Sequence, residues 1–304
     1  MNNFTRGVSG LPRLVISDGS MEKVILDLLK SAGFILPEIR SRQKKILLDS
    51  QILESITLMR PQMSPTYAEK GYFDIIICGQ DHIVNTGAKL KTILEMPVAR
   101  QTKQAVKIVL AVAKVSGFRS IADLPQGCIL ATEYVEMAER YLASKGRSDI
   151  RVIRSYGGTE QMISLGASAI IDVTETGSSL VANGLVIIDT LMTSNTVIAA
   201  NLDSYADPQL RPLIDLFACI IKGAWDADQY VRMEANIPDS LIEKAASIMG
   251  GMKSPTIGPL LMPGWAALTA YIPKEKQHEV SFLLTQLGVK DICTSSVDVM
   301  MGID

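Results

Sequence analysis

The chain has 304 residues, 47% of them hydrophobic but only 5% aromatic, and a formal net charge of −2. That length allows two or three domains whose cores must be built from Ile, Leu, Val, Ala and Met. A pI near 5.8 without any block of basic residues argues against nonspecific binding to nucleic acid or acidic membrane.

Other exclusions follow from what is scarce. The four cysteines, Cys78, Cys128, Cys219 and Cys293, are widely spaced, as expected for reduced core thiols in a cytoplasmic protein. With only His82 and His278 in the chain, a histidine-based metal site or a Ser-His-Asp triad is hard to assemble. No apolar h-region follows the N-terminus, and no run of about 18 apolar residues occurs, so neither a signal peptide nor a spanning helix is expected.

The chain opens on a strand over Leu11–Ser17, a turn at Asp18-Gly19-Ser20 and a helix whose N-cap is read as Ser20 and whose end is near Gly33. A short strand at 46–48, a helix-like stretch at 50–53 and a strand at 56–60 follow. Pro61 and Pro65 bracket a turn into a helix closed by Gly71. The apolar run Phe73–Cys78 is a buried strand ending in Gly79-Gln80-Asp81. His82, beside Asp81, could be catalytic, although a histidine satisfied within its loop is the commoner case.

A second α/β unit opens with the apolar strand 105–115. A short helix at 120–125, a strand at 128–131 and a helix capped by Thr132 come next. The strand 151–155 runs into Gly157-Gly158-Thr159-Glu160, which opens onto a helix at 161–165 and forms a potential anion nest. Two further strands, 186–189 and 196–200, are expected to return to the first unit, giving two lobes with the ligand between them. The tail reads βαββαβ, a ferredoxin-like unit of the kind used for amino-acid sensing and subunit contacts.

The stretch with most chemical content is Asp172-Val-Thr-Glu-Thr-Gly-Ser-Ser-Leu180. A buried strand there ends in hydroxyls and one glycine, which together can present donors to an anion. Gly177 can adopt φ > 0, and Asp172 and Glu175 can hold sugar hydroxyls or Mg²⁺. Taken alone, an ordinary capped strand–turn–helix would explain the same pattern.

In order, these pieces resemble the long form of ATP phosphoribosyltransferase, the first enzyme of histidine biosynthesis. The segment Gly166 to Leu185 is similar to the family signature, supported by Arg60-Pro61, Gly79-Gln-Asp81 and Gly158-Thr-Glu160. The resemblance implies a bilobed, periplasmic-binding-protein-like core of two α/β domains with a C-terminal ACT-like regulatory domain. The implied boundaries are residues 1–100 with 189–205 for lobe I, 101–188 for lobe II, 206–226 for a connecting helix and 227–304 for the regulatory domain. It also implies a reaction joining N1 of ATP to C1 of phosphoribosyl pyrophosphate with release of pyrophosphate. Thr174, Thr176, Gly177, Ser178 and Ser179 would cradle the 5-phosphate, with Asp172 and Glu175 near the ribose or its Mg²⁺. Asp18, Gly19, Ser20, Arg60, Asp81, Glu133 and Glu160 are acceptor-side candidates. Implied partners are the two substrates, a possible histidine effector, and further copies of the chain in a dimer or hexamer.

Three motifs depart from the family pattern. Ser17-Asp18-Gly19-Ser20 stands where a Lys/Ser-Gly-Arg turn is usual, Met63 stands near an expected acid, and the Ala-Thr-x-Tyr-Pro helix start appears as Ala131-Thr-Glu133-Tyr134-Val135. Exchanging Lys for Asp and Arg for Ser alters the local charge by about −3, where each unit pair at about 4 Å is worth roughly 4 kcal/mol near a protein surface. Arg100, Lys103 and Lys107 are close enough in sequence to compensate. An unusual ATP site, a paralogue with a less anionic acceptor, and a non-catalytic ligand-binding relative all fit this pattern.

Overall fold

The computed structural model describes residues 10–19, 21–37, 44–97, 105–252 and 254–302. By contacts it divides into two compact units, one holding the chain up to Leu26 with Ile35–Ala218, the other Asp27–Phe34 with the chain from Cys219 onward.

The first unit contains two sheets. Its first part runs β1 (Arg13–Ser17), α1 (Glu22–Ser31), β2 (Lys45–Leu47), β3 (Ser55–Met59), α2 (Ser64–Glu69), β4 (Ile75–Gly79), α3 (Gln80–Thr86) and β5 (Leu90–Met96). β1 lies parallel to both β3 and β4. A central parallel strand is covered on both faces, so it needs a continuous apolar run rather than alternation. Leu14-Val15-Ile16 and Ile75-Ile76-Ile77 are such runs, and all six residues are buried.

The second part runs β6 (Val106–Ala113), β7 (Ile129–Thr132), α4 (Val135–Ser144), β8 (Arg151–Arg154), β9 (Ala169–Thr174), α5 (Ser178–Ala182) and β10 (Leu185–Ser194), then β11 (Thr196–Asn201). The strand orders are β2-β3-β1-β4-β11-β5 and β10-β6-β9-β7-β8. The chain therefore passes back from the second sheet to the first at Asn195, between β10 and β11. Both sheets present strand ends toward this crossing, where open α/β sheets place ligands.

Several sequence expectations change here. The strand over 186–189 does not return to the first sheet: it is part of β10, which pairs antiparallel with β6, and only β11 returns. β5 corresponds to no predicted element. No helix forms at 50–53, where the Ser50 hydroxyl accepts from the backbone N–H groups of Ile52 and Leu53 in a local turn. Thr132 does not cap α4, whose cap position is Tyr134; its hydroxyl instead accepts from the Tyr134 N–H at 2.9 Å. The helix expected at 161–165 is a 3₁₀ turn over Thr159–Ile163. The expected N-cap, Ser20, lies outside the described residues.

After α6 (Leu202–Ala206), helix α7 (Arg211–Ala227) runs from the first unit into the second. The second unit folds as β12 (Tyr230–Pro238), α8 (Ile242–Met249), β13 (Thr256–Pro259), β14 (Trp265–Pro273), α9 (Gln277–Gln286) and β15 (Lys290–Ser296), an antiparallel sheet of order β13-β14-β12-β15. On β12 and β14 every second residue is buried, so one face carries the core with Ala245, Met249, Val280 and Leu284 from the helices. This is the expected ferredoxin-like arrangement. Among the described residues, no helix is long and apolar enough to cross a membrane.

Candidate functional site

A cleft of about 330 Å³ opens between the two sheets of the first unit. One wall is made by strand ends and helix starts of the first sheet, including Ser17, Asp18, Asp81 and His82. The other is the loop after β9, with Thr174, Glu175, Thr176, Ser178 and Ser179. Ser194, Asn195 and Thr196 line the crossing between them.

The loop wall is a mesh of hydroxyls. Thr174 Oγ1 accepts from the Gly177 N–H at 2.8 Å, and the Thr176 and Ser178 hydroxyls are 2.9 Å apart. Ser179 donates to Glu160 at 2.5 Å. Gly177 caps α5 in the left-handed region, φ +79°, a conformation that costs a non-glycine residue about 1–2 kcal/mol. The resulting concave edge can turn several hydroxyls toward one anion.

Asp172 stands two residues before Thr174 on β9. Burial pushes its carboxyl up to about 7, against the lowering effect of the Val173 N–H, and the nearby charges of Glu160 and Glu133 raise it further. Asp172 Oδ1 accepts from that N–H at 2.8 Å. A carboxyl with this environment can present a proton to a phosphate or a sugar hydroxyl near neutral pH.

The opposite wall is organised around Asp81, only 3% exposed, at the start of α3. Ser194 donates to its Oδ1 at 2.6 Å and Tyr134 to its Oδ2 at 2.7 Å. The Asp81 N–H in turn donates to Ser194 Oγ at 3.0 Å. Asp81 is thus bound by the crossing strand and by the second lobe. The first effect on Tyr134 is burial, and the Asp81 charge adds to it, so the phenol ionises well above its usual range and stays a donor.

Asp18 does not face the cleft as an uncompensated charge. Its side chain is 9% exposed, with Lys44 Nζ 2.9 Å from Oδ2 and Arg60 Nε 3.7 Å from Oδ1. Lys44 and Arg60 thus compensate Asp18, whereas the sequence points to Arg100, Lys103 and Lys107. Arg100 and Lys103 lie outside the described residues, and Lys107 pairs within the second sheet opposite Thr174.

Of the sequence-based candidates, the cleft gathers Asp18, Asp81, Thr174, Glu175, Thr176, Ser178 and Ser179. Arg60 reaches it through Asp18, and Glu160 through Ser179. Glu133 accepts a 2.8 Å hydrogen bond from Gln62 of the opposite lobe. Gly19, φ +93°, shapes the turn after β1, and Ser20 lies outside the described residues. The sequence names Ser17 and Tyr134 only as members of departing motifs, with no role, and does not single out Ser194. For His82 the sequence leaves a catalytic role open beside the commoner satisfied loop histidine; His82 sits in α3 and its buried Nδ1 has no hydrogen-bond partner among the described residues. The break between the strands 186–189 and 196–200 was the available signal for Ser194, since a ligand between lobes must meet the residues that cross.

Comparison with known proteins agrees with this architecture. Residues 60–221 match the family model described as "HisG: ATP phosphoribosyltransferase", and residues 227–298 match "HisG, C-terminal domain". The ATP phosphoribosyltransferase of Desulforudis audaxviator is 34% identical over 280 residues, covering 92% of this chain and 96% of that protein. That of Chlorobium luteolum is 35% identical over 283 residues, 93% of each chain. Among solved structures, the ATP phosphoribosyl transferase (HisG:HisZ) complex from Thermotoga maritima aligns with a TM-score of 0.58 at 28% identity, covering 70% of this chain and 97% of that one.

Proposed function

The chain belongs to the ATP phosphoribosyltransferase family in its long form, and on that premise we propose how its cleft divides the two substrates. The reaction joins N1 of ATP to C1 of phosphoribosyl pyrophosphate and releases pyrophosphate, the first step of histidine biosynthesis. In our reading Thr174, Thr176, Ser178 and Ser179 hold the 5-phosphate, with Gly177 shaping the loop. Asp172 and Glu175 stand toward the ribose, and the acceptor nucleotide lies against the Ser17–Asp18 and Asp81–His82 wall.

The observation that carries this division is the chemical contrast between the walls. One offers clustered hydroxyls from a single loop, suited to an anion. The other offers the buried, unpartnered Nδ1 of His82, with Asp81 beside its Nε2, suited to a ligand that brings hydrogen-bond donors. Catalysis then rests on holding N1 and C1 in line and on stabilising the sugar cation and departing anion. No protein nucleophile is needed.

Phosphoribosyltransferases of this family generally use a divalent metal, and Mg²⁺ is the ion we assign. Among the described residues, no three His, Cys, Asp or Glu side chains gather at metal-binding spacing. Asp172 and Glu175 are the carboxylates that would hold an ion brought in with the pyrophosphate. Such an ion supplies charge neutralisation of the leaving group.

Further assignments follow from the same reading: a cytoplasmic enzyme, assembled as a dimer or hexamer, with the βαββαβ unit as receptor for histidine as feedback effector. The decisive experiment mixes the purified protein with ATP, phosphoribosyl pyrophosphate and Mg²⁺. Pyrophosphate release with a matching product absorbance is expected, and its absence would refute catalysis with ATP. Calorimetry should detect phosphoribosyl pyrophosphate binding that Gly177→Val abolishes; binding unaffected by that change would remove the loop from the site.

A further inference from the structure

His82 lines the cleft with a side chain 13% exposed. Its Nε2 lies 3.4 Å from Oδ2 of Asp81. A carboxylate only accepts, so this neighbour favours the imidazole tautomer with its proton on Nε2. The ring plane is fixed by stacking on Tyr134, with centroids 5.4 Å apart and 21° between planes. Nδ1 is left with its lone pair, buried and without a hydrogen-bond partner among the described residues.

Two other buried polar atoms of the same cleft lack a hydrogen-bond partner among the described residues: Ser17 Oγ, which can donate or accept, and Asp18 Oδ1, whose ion pair with Arg60 Nε is 3.7 Å long. Buried polar groups are ordinarily hydrogen-bonded, so three in one cavity wall point to a ligand that completes them. An ionised phosphate offers no hydrogens and matches neither Nδ1 nor Oδ1. An amino group matches both. On the acceptor nucleotide, the 6-amino group of adenine is attached to the carbon next to the reacting N1.

We propose that His82 is a catalytic residue of the transfer, its Nδ1 accepting a hydrogen bond from the 6-amino group of the acceptor adenine. This rests on the placement of ATP against that wall. As the N1 lone pair forms the bond to C1, the bond from C1 to the pyrophosphate oxygen breaks and its electron pair leaves with pyrophosphate. The purine acquires positive charge, which delocalises onto N6 and makes the N6–H groups stronger donors. Both hydrogens stay on N6. The hydrogen bond to Nδ1 is thus stronger in the transition state than in the ground state, which is the condition for accelerating the chemical step. Asp81 behind Nε2 raises the accepting power of the ring, as an oriented carboxylate does for a histidine.

The test uses the full chain with two nucleotides, ATP and purine riboside triphosphate, which keeps N1 but lacks the amino group. His82→Phe keeps a stacked ring and removes the acceptor, while His82→Asn can place an amide oxygen near the position of Nδ1. For the wild type, kcat with ATP should exceed that with the analogue by about 100-fold. His82→Phe should lower kcat with ATP by a similar factor, leave the analogue within about 3-fold, and leave KM for phosphoribosyl pyrophosphate unchanged. His82→Asn should recover part of the loss. Equal losses on both nucleotides, or no loss on ATP, would overturn the assignment. If His82→Phe does not fold, equal use of the two nucleotides by the wild type overturns it, and strong preference with partial retention in His82→Asn supports it. A wild type that releases no pyrophosphate with ATP would instead defeat the functional reading itself.

Discussion

The phenol of Tyr134 donates a 2.7 Å hydrogen bond to Oδ2 of Asp81, joining the start of α4 on the second sheet to the start of α3 on the first. A donor held un-ionised by burial meets a carboxylate at the floor of the cleft, so one contact serves both the closure of the lobes and the orientation of His82. Tyr134→Phe retains the ring that stacks on His82 but removes this bond. We expect a stability loss of about 1–2 kcal/mol and a fall in kcat with ATP of roughly 10-fold. Thermal melting and steady-state kinetics of the variant check both. A variant with unchanged melting and unchanged turnover would show that the contact contributes to neither.

Gly79 precedes this acid, and its requirement is spatial rather than conformational. Its φ of −67° and ψ of 138° suit any residue, but an added Cβ would stand 2.2 Å from Asp81 Oδ1 and 3.2 Å from its Cγ. Gly79→Ala must therefore push the carboxylate away from Ser194 and His82, at a cost of about 1–3 kcal/mol and with loss of turnover. Gly177 is the converse. There the nearest atom to an added Cβ is 3.9 Å away while φ is +79°, so Gly177→Ala costs about 1–2 kcal/mol through backbone strain alone. Comparing binding of phosphoribosyl pyrophosphate by calorimetry separates them: Gly79→Ala should leave it near wild type, and Gly177→Ala should weaken it. The opposite pattern would reverse the assignment of the two walls.

How much was legible in the sequence follows from where each residue's constraints lie. β1 and β4 could be read because both faces are buried, which leaves an uninterrupted apolar run. β5, Leu-Lys-Thr-Ile-Leu-Glu-Met, is an edge strand with most positions partly exposed, so it carries neither an apolar run nor strict alternation. β10 is also an edge strand, and its register shifts at 187/189 and 190/192 break the period of two that marks a strand. The hydroxyl loop was visible because Thr174 to Ser179 are consecutive. Of the facing wall, Asp18 and Asp81 were reachable through the family resemblance but Ser194 was not, since it lies 113 residues from Asp81 in sequence and only the crossing of the chain brings them together.

The environment of Asp172 gives a pH dependence with a definite sign. Its carboxyl is raised by burial from 3.8 to about 7 in the folded protein. The fold therefore holds more protons than the unfolded chain between those values, so stability from this group is present at low pH and is lost as pH rises through about 7. Asp172→Asn, which cannot ionise, should be more stable than wild type by up to roughly 4 kcal/mol near pH 8, a rise in Tm on the order of 10 °C, with the difference shrinking toward zero near pH 4. Melting curves of both proteins across this range decide the matter. A gain that stays constant with pH would mean that the substitution acts through packing and that Asp172 is not held un-ionised by its surroundings.

A last expectation concerns the other end of β1, away from the cleft. Asp74 is buried and accepts four hydrogen bonds: from the Arg13 N–H at 2.8 Å, Arg13 Nε at 2.9 Å, Arg13 Nη2 at 3.3 Å and the Ser204 hydroxyl at 2.7 Å. Arg13 also donates to the Gly71 carbonyl at 2.9 Å, so the start of β1, the entry to β4 and helix α6 are tied to one carboxylate. Asp74→Ala leaves a largely buried guanidinium and a backbone N–H without this acceptor, which should cost about 3–5 kcal/mol. Asp74→Asn keeps an acceptor oxygen but loses the charge, and should cost less. Because Asp74 is not among the residues lining the cleft, protein that remains folded at low temperature should keep the wild-type KM for both substrates. Denaturant unfolding and kinetics at low temperature test the two halves separately. A large rise in KM with undiminished stability would mean that this end of β1 positions the cleft rather than anchoring the sheet.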